Sequence, residues 1–431
     1  MFNSVKIIYS NFNFNYYILI ITCLYYTGNC YSDNINLTLK NAVEQSLNKH
    51  PSISFARATY EAASAARDAA EWARFPKITA NTQPNIYTEQ SVNGNSSVSI
   101  DQPIWTGGRI DGQIKNNLAL EKSAQIAELE SQHSIVEQTT IAFVNVIRAE
   151  DRLNNIDKSI KKFQELVDYV ERREKGGLAS QSDILIAKNR LSSLLFQREQ
   201  ARGDFQRTQA ELQVLIVSRQ GIEKYKSVDI PYIDTSEIKK IEDQFLDKSQ
   251  VLSQKKMEIQ AALAAVEVKK AGVLPTVSLR AEQIRYNNFG GSVSEDKRIG
   301  FTLQYTPDAG LASLSYIKEA QSKLQGLREQ LRTAELDILL RFKTSYSDYL
   351  SAQLQIEELK PQLKSLDNSA NSFVRQFESG RKTWIDVLNA YKELLDGHQN
   401  LSKAYLLREQ SAIRIMSGTD ELYIWIQSLQ N

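Results

Sequence analysis

The chain has 431 residues, of which 52 are Lys or Arg and 51 are Asp or Glu. This length is sufficient for two or three ordinary domains. The balanced charge gives no electrostatic reason to expect a nucleic-acid partner. Only 18 Gly and 8 Pro occur, and this scarcity favours long helices over a strand-rich globule.

The N-terminus has the pattern of a secretion signal. Residues 16–26 form an apolar run that is too short to span a bilayer but has the length of a signal-peptide core. Gly28 and Cys30 are small residues at positions −3 and −1 of a possible cleavage site. We therefore predict a signal peptide over 1–30, with a non-cleaved anchor or a wrongly chosen start codon as alternatives. Cleavage would remove both cysteines, Cys23 and Cys30, and leave no disulfide framework.

Helical periodicity covers most of the remaining chain. The predicted helices are 37–74, 109–175, 182–217, 236–273, 311–378 and 383–417. The first is broken or restarted at Pro51, because proline suits the first turn of a new helix. The helix over 109–175 has a predicted length of about 100 Å, far more than a globular helix. Apolar residues in steps of three and four, as from Ile317 to Ile338, are typical of a coiled-coil seam.

Four shorter stretches have the alternation of β-strands. They are predicted at 77–90, 96–105, 276–287 and 297–306. In the last stretch Ile299, Phe301 and Leu303 fall on one face. Each strand has about 10–12 residues, close to the number that a tilted strand needs to cross a bilayer core. No stretch after the signal is apolar enough for a membrane helix, so a membrane-embedded part would have to consist of strands.

Two similar segments follow the longest helices. Gly177 precedes Asp183, and Gly380 precedes Asp386 with the same spacing. The glycines suit a left-handed helix C-cap, and the aspartates fall in the first turn of the next helix, where the helix dipole favours an acidic residue. The sequence therefore predicts two helical hairpins, each with a glycine at its tip.

The order of helix, strand pair, glycine, long helix and tip occurs twice. Pro76 corresponds to Pro275, and Gly108 corresponds to Gly310. We interpret the chain as a tandem duplication. The predicted organisation is a signal peptide 1–30, a first structural repeat 31–220, an equatorial linker 221–235, a second structural repeat 236–418 and a C-terminal tail 419–431.

The strand count itself limits the possible architecture. Four strands of membrane length cannot close on themselves, since known barrels begin at about eight strands. An open sheet would present unpaired edges to lipid. Several copies of the chain must then contribute strands, and three copies would supply a twelve-stranded barrel. The long helices would form a ring about 100 Å long around a wet tunnel.

The chain resembles the TolC family of outer-membrane efflux channels over nearly all of its mature length. The resemblance is carried by Gln102-Pro-Ile-Trp-Thr-Gly-Gly-Arg109, by the break Asn48-x-His-Pro51 and by the two tips. It implies a mainly α fold with a membrane β-barrel contribution. Duplicated long-helix hairpins and four β-strands per chain would form a trimeric twelve-stranded β-barrel, continuous with a periplasmic α-helical barrel.

The resemblance also implies a location and partners. The location is the cell outer membrane, with a long periplasmic part. The partners are two further copies in a homotrimer, outer-membrane lipid, a periplasmic adaptor (membrane fusion) protein and an inner-membrane RND or ABC transporter.

In similar channels the tunnel narrows at residues close to the tips. By resemblance the periplasmic gate residues are Asp183, Phe377, Lys382, Asp386 and Asn389, and the adaptor-docking residues are Gly177, Leu178, Gly380 and Arg381. Three copies of Asp386 would form a negative ring that attracts cations. Asn389 stands where the family pattern has a second acidic residue, which argues against a double acidic ring. Alternatively, Asp183 and Asp386 are ordinary first-turn residues favoured by the helix dipole.

The sequence thus predicts the exit duct of a tripartite export system for small molecules or proteins. Type I protein secretion in place of drug efflux is an alternative for the cargo, and a non-channel periplasmic coiled-coil scaffold or adaptor is an alternative of another class. We expect no catalysis, cofactor or metal site. The three histidines lie in separate segments without ligand spacing, and no phosphate-binding or nucleophile motif occurs.

Overall fold

The computed structural model describes residues 36–85, 93–218, 222, 224–287, 292–306 and 312–429. The predicted signal peptide 1–30, the end of the predicted strand 77–90 and the predicted repeat position Gly310 lie outside these residues.

The first half of the chain leads from short elements into a long helical hairpin. Its elements are β1 (Asn36–Leu37), α1 (Leu39–Lys49), α2 (Pro51–Trp72), β2 (Lys77–Asn85), β3 (Asn93–Trp105), α3 (Arg109–Lys175), α4 (Gln181–Leu215) and β4 (Lys224–Tyr225). Pro51 is the first residue of α2, and His50 caps that helix by accepting the Ser52 N–H at its Nδ1 at 3.3 Å. The predicted helical region 37–74 is therefore two helices.

The second half has the same succession of helix pair, strand pair and hairpin. Its elements are α5 (Ile238–Asp247), α6 (Gln250–Ala271), β5 (Thr276–Asn287), β6 (Val293–Gln304), α7 (Ala312–Glu378), α8 (Trp384–Gly418) and α9 (Glu421–Ser428). Both α3 and α7 have 67 residues, which corresponds to about 100 Å. None of the helices in the described residues is long and apolar enough to cross a membrane.

Several element boundaries differ from the sequence-based expectation. The helix predicted over 236–273 is two helices, because the Ser249 Oγ accepts the Leu252 N–H at 3.3 Å and starts a new helix. The predicted tail 419–431 contains the helix α9. Strands β3 and β6 begin before residues 96 and 297, since backbone pairing continues into polar residues that have no apolar alternation.

The longer strands form one antiparallel sheet in the order β2-β3-β5-β6. Each half of the chain supplies one β-hairpin, and β3 of the first half pairs with β5 of the second. The β3–β5 register shifts between Pro103 and Trp105, so that Trp105 lies opposite Val277. Strands β2 and β6 are the outer strands, and the short strands β1 and β4 pair separately in parallel.

Apolar packing among the helices falls into two large clusters. One joins α1, α3, α7, α8 and α9 and contains Phe143 and Tyr349. The other joins the two hairpins near their tips and contains Ile156 and Leu388. The Ile233 N–H donates to the Tyr349 Oη at 2.9 Å, which fixes the segment between β4 and α5 onto α7.

A buried ion pair also connects the halves. The Arg148 guanidinium in α3 donates to Glu409 in α8, with an Nε–Oε2 distance of 2.8 Å, and to Asp151 Oδ2 at 2.9 Å. The Glu409 side chain is 2% exposed. Loss of Arg148 would leave the buried Glu409 carboxylate without its bidentate partner, so the pair fixes how the first and second hairpins pack.

The chain passes from β3 into α3 through two glycines with left-handed backbone. Their φ angles are +61° at Gly107 and +87° at Gly108. A Cβ at Gly107 would lie 2.9 Å from the Cβ of Leu274, whereas a Cβ at Gly108 would have nothing within 4 Å. Because Leu274 precedes β5, Gly107 is also a point of close approach between the two halves.

We expect Gly107→Ala to lower the thermal unfolding temperature more than Gly108→Ala. Both changes strain a left-handed backbone by about 1–2 kcal/mol, but only the first brings a methyl group against Leu274. Circular dichroism melting curves of the detergent-solubilised variants and wild type measure the difference. Equal shifts would contradict the close contact at Gly107.

Candidate functional sites at the hairpin tips and on the sheet

The first hairpin tip ends α3 with a glycine cap. Gly177 has a φ of +71°, and its N–H donates to the Glu174 carbonyl at 2.8 Å. The Leu178 N–H donates to the Arg173 carbonyl, also at 2.8 Å. Together these bonds satisfy carbonyls that the helix end would leave free. The Leu178 side chain is 69% exposed, so the tip presents an apolar residue to its surroundings.

The second tip repeats this geometry at the end of α7. Gly380 has a φ of +76°, and its N–H donates to the Phe377 carbonyl at 3.0 Å. The Arg381 N–H donates to the Gln376 carbonyl at 2.8 Å, and the Arg381 side chain is exposed. The left-handed caps predicted at Gly177 and Gly380 are both present.

Asp183 and Asp386 belong to capping boxes. The Asp183 Oδ2 accepts the Ser180 N–H at 3.1 Å and the Ser180 hydroxyl at 2.8 Å. The Asp386 Oδ2 accepts the Thr383 N–H at 2.9 Å and the Thr383 hydroxyl at 2.8 Å. In both boxes the N-cap side chain accepts the aspartate N–H in return. Both aspartates therefore stabilise the first turn of their helix.

The charge of Asp386 is favoured by its surroundings. The backbone hydrogen bond from Thr383, the hydroxyl of the same residue and the nearby Lys382 charge all hold the pKa of the Asp386 carboxyl below its usual value. The carboxylate is thus ionised at neutral pH, as a negative ring at a channel mouth would require.

Phe377 lies between the two hairpins of the chain. The Arg173 guanidinium lies over its ring, with the Cζ 4.8 Å from the ring centroid. The Tyr169 ring meets it edge-on at 6.1 Å, and the Trp384 ring lies 5.2 Å away. Since Tyr169 and Arg173 belong to α3 whereas Phe377 belongs to α7, this aromatic cluster connects the first hairpin with the second.

The other predicted gate residues have different surroundings. Lys382 is half-buried, with its Nζ 4.5 Å from the centroid of the Phe373 ring. Asn389 is exposed. Sequence reasoning missed Tyr169 and Arg173, because a basic residue in the last turn of a helix already has an explanation in the helix dipole.

One face of the four-stranded sheet is apolar in the half nearest the helices, whereas Arg285, Glu295 and Lys297 lie on the same face towards the hairpin turns. Directly paired residues lie on the same side of a sheet, and on this side Ile78 is opposite Ile100 while Leu279 is opposite Phe301. Phe301 is 77% exposed and Ile78 is 71% exposed. The exposed large apolar side chains on this face are Ile78, Val98, Ile100, Trp105, Val293, Ile299, Phe301 and Leu303. An apolar surface of this kind indicates contact with lipid or another protein.

The opposite face of the sheet is polar and charged. Its charged residues are Lys77, Asp101, Arg280, Glu282, Asp296 and Arg298. Arg280 Nε donates to Asp101 Oδ1 at 2.6 Å, across the boundary between β3 and β5. Arg298 Nε donates to Asp296 Oδ2 at 2.7 Å within β6. A sheet with one apolar and one charged face fits a wall between lipid and water.

The described residues contain no group of three or more His, Cys, Asp and Glu side chains that could hold a metal ion. His133 is paired through its Nδ1 with Asp420 Oδ1 at 3.1 Å.

We expect the first turn of α8 to loosen in acid. Because the folded-state pKa of Asp386 is lowered, its stabilisation is present above the ordinary carboxyl pKa of about 3.9 and is lost as the pH falls through the lower folded value. Hydrogen exchange at the start of α8, corrected for intrinsic rates, measures this. Asp386→Ala should show the fast exchange already at neutral pH.

The matched control is Asp396→Ala in the same helix, because that carboxylate lies 3.6 Å from the Lys392 ammonium and takes no part in a capping box. Equal effects of the two alanine variants would refute the specific role of the capping box.

Comparison with known proteins places the chain in a family. The model of the outer membrane efflux protein family matches residues 42–216 and 242–419. The outer membrane protein TolC of Escherichia coli is 22% identical over 331 residues, which cover 70% of this chain and 66% of that protein. The pyoverdine export outer membrane protein OpmQ of Pseudomonas putida is 22% identical over 346 residues, which cover 76% and 70%. The chain thus spans slightly less than two thirds of TolC from Escherichia coli, and 64% of TolC from Salmonella enteritidis.

Solved structures have the same fold. The outer-membrane channel OprN superposes with a TM-score of 0.78 at 19% identity, covering 88% of this chain and 89% of that one. The outer membrane protein VceC from Vibrio cholerae superposes with a TM-score of 0.76 at 15% identity, covering 88% and 95%. Since the family model matches most of the chain, the protein belongs to the outer membrane efflux protein family, a family of channels and not of enzymes, and is an outer-membrane protein with a large periplasmic helical part.

Proposed function

We propose that three copies of the chain form the exit duct of a tripartite export system. The observation that carries this proposal is the sheet with one apolar and one charged face. Placed in a bilayer, such a sheet turns its apolar side to lipid and its charged side to water, which needs a water-filled space inside. A closed ring of strands around a pore provides that space.

The unpaired edges of the sheet support an assembly of several copies of the chain. In the described residues, β2 and β6 each pair with one strand only. Their outer backbone N–H and C=O groups would be unsatisfied in lipid, at several kcal/mol each. Pairing β6 of one copy with β2 of the next removes both edges. Three copies give a twelve-stranded barrel, within the even-numbered range of outer-membrane barrels.

The helices continue the tunnel beyond the membrane. We infer that residues 31–220 and 236–418 are two structural repeats, which is supported by their common element order and by the two separate segments of the family match. Each repeat contributes one hairpin, in which a helix of about 100 Å packs against a helix of about 50 Å. Six hairpins side by side form a helical barrel in the periplasm, with the tips at the end remote from the membrane.

The tips are the proposed contacts for the other components. A periplasmic adaptor docks at Gly177, Leu178, Gly380 and Arg381, and connects the duct with an inner-membrane RND or ABC transporter. Leu178 supplies exposed apolar area and Arg381 an exposed cation, which suits a partner surface with an apolar pocket and acidic groups. The two tips differ in these side chains, so an adaptor can distinguish them.

The periplasmic gate is proposed at Asp183, Phe377, Lys382, Asp386 and Asn389. Opening requires the two hairpins of a chain to move relative to one another. The contact of Arg173 with Phe377 opposes this movement, since it joins α3 to α7. Asp386 gives the closed mouth a negative ring that attracts cations, and Asn389 leaves this ring single.

The cargo class has two candidates. Export of small molecules is supported by the family description and by OpmQ, which is named for pyoverdine export. Type I protein secretion is the alternative, because a duct wall need not recognise what passes through it. A non-channel scaffold is the less favoured hypothesis, since it gives the apolar face of the sheet no partner.

Neighbouring residues on β6 test the proposed pore. In a background with Cys23 and Cys30 changed to Ser, we expect Thr302→Cys to react with a charged thiol reagent and to change single-channel conductance. Phe301→Cys is the matched control, because Phe301 is on the apolar face and would be covered by lipid. A trimer without conductance, or modification that affects only the Phe301 variant, would contradict the proposal.

The gate is tested through Arg173. We expect Arg173→Met to raise the resting conductance in planar bilayers, because it removes a cation–π contact worth about 0.5–2 kcal/mol while keeping a long side chain. This corresponds to about a two- to thirtyfold change in the closed-to-open ratio. Arg172→Met is the matched control, since Arg172 is the exposed neighbour with the same charge. Equal conductance of the two variants would show that charge alone matters.

A further inference from the structure

The charged face of the sheet has a balanced composition. In the described strands it carries three cations, Lys77, Arg280 and Arg298, and three carboxylates, Asp101, Glu282 and Asp296. The cations and carboxylates are equal in number, and they also lie next to each other in the strand register. Glu282 is the register partner of Arg298, which also donates to Asp296.

Asp101 occupies a special place in this arrangement. Its register partner on one side is Lys77 in β2, and its partner on the other side is Arg280 in β5. It is the carboxylate between two cations, and it accepts the Arg280 Nε at 2.6 Å. The next partner of Arg280, on β6, is Gly300, which has no side chain. At this level of the sheet the cations therefore have Asp101 as their counter-charge.

We propose that Asp101 is a selectivity-determining residue of the pore. This inference rests on the proposed function, because it requires the charged face to line a water-filled barrel. The Asp101 carboxylate offsets one of the two adjacent cations, and with it the six charges on this face of the described strands sum to zero. A neutral wall lets cargo of either sign pass through the membrane part, and charge selection is left to the periplasmic end.

The physical reason for a measurable effect is the geometry of a narrow wet pore in lipid. Charges on low-dielectric walls focus their field into the lumen and change the local ion concentration. Loss of Asp101 would leave one unbalanced positive charge per chain, repeated around the ring. At about 10 mM salt the Debye length is about 30 Å, so such a ring acts across the whole lumen.

The test is the reversal potential of reconstituted trimers in a KCl gradient at low salt. We expect Asp101→Asn to shift the chloride-to-potassium permeability ratio upward by about threefold or more. The amide can still accept from Arg280, so the sheet keeps its contact. Arg280→Gln should shift the ratio in the opposite direction. The variant with both substitutions should have a permeability ratio close to that of the wild type. Asp101→Glu should also have the wild-type ratio, because it keeps the carboxylate.

Glu295→Gln is the matched control. It removes a carboxylate from β6 on the other side of the sheet, where Glu295 is paired with Arg285 in the register. We expect no shift from it. An unchanged ratio in Asp101→Asn with normal conductance would overturn this inference alone, and so would an equal shift in Glu295→Gln. A wild-type trimer without conductance would overturn the proposed function and this inference together.

If Asp101 only held the two β-hairpins together, Asp101→Asn and Arg280→Gln would weaken the trimer without opposite shifts of the reversal potential. Trimer stability on a heated gel separates this outcome from a change in selectivity. Weakened trimers whose permeability ratio equals that of wild type would overturn the inference.

Discussion

Backbone hydrogen bonding at the edges of the four-stranded sheet is the constraint on which the rest of the structure depends. A sheet with a broad apolar face is stable only where that face leaves water, and a bilayer is the environment that its length fits. Lipid offers no donors or acceptors to the outer edges of β2 and β6. In the proposed trimer, closure with strands of other copies would meet both requirements, and it would also place the helices of several chains side by side.

The helical part has the same twofold repetition as the sheet. Two hairpins of equal helix length follow the two β-hairpins, and the left-handed glycines Gly107 and Gly108 direct α3 away from β3. The buried Arg148–Glu409 pair and the cluster around Phe377 connect the hairpins at two distances from the sheet. Charged and aromatic contacts are more directional than aliphatic ones, which suits positions where two similar helices must keep one register.

Much of this architecture is predictable from the sequence, because its signals are local and periodic. Gly177 and Gly380 predict left-handed helix caps, because glycine has no Cβ and adopts that conformation readily. The alternation of apolar and polar residues in the strands predicts the two faces of the sheet. The bulge at Pro103 is not predictable from alternation. It depends on the pairing of β3 with β5, and it places Trp105 opposite Val277. The contact of Arg173 with Phe377 joins residues far apart in the chain, so it cannot be predicted from helix periodicity. The break at Ser249 is not predictable either, because a serine is also tolerated inside a helix.

The self-contained hydrogen bonding of the tips has a further consequence. Each glycine cap and capping box satisfies the chain ends of its own helices, without a donor from another molecule. In the proposed export system, the channel would therefore keep both turns folded before its partners bind. Assembly and release would need no local refolding, so that one channel could serve successive pumps in turn.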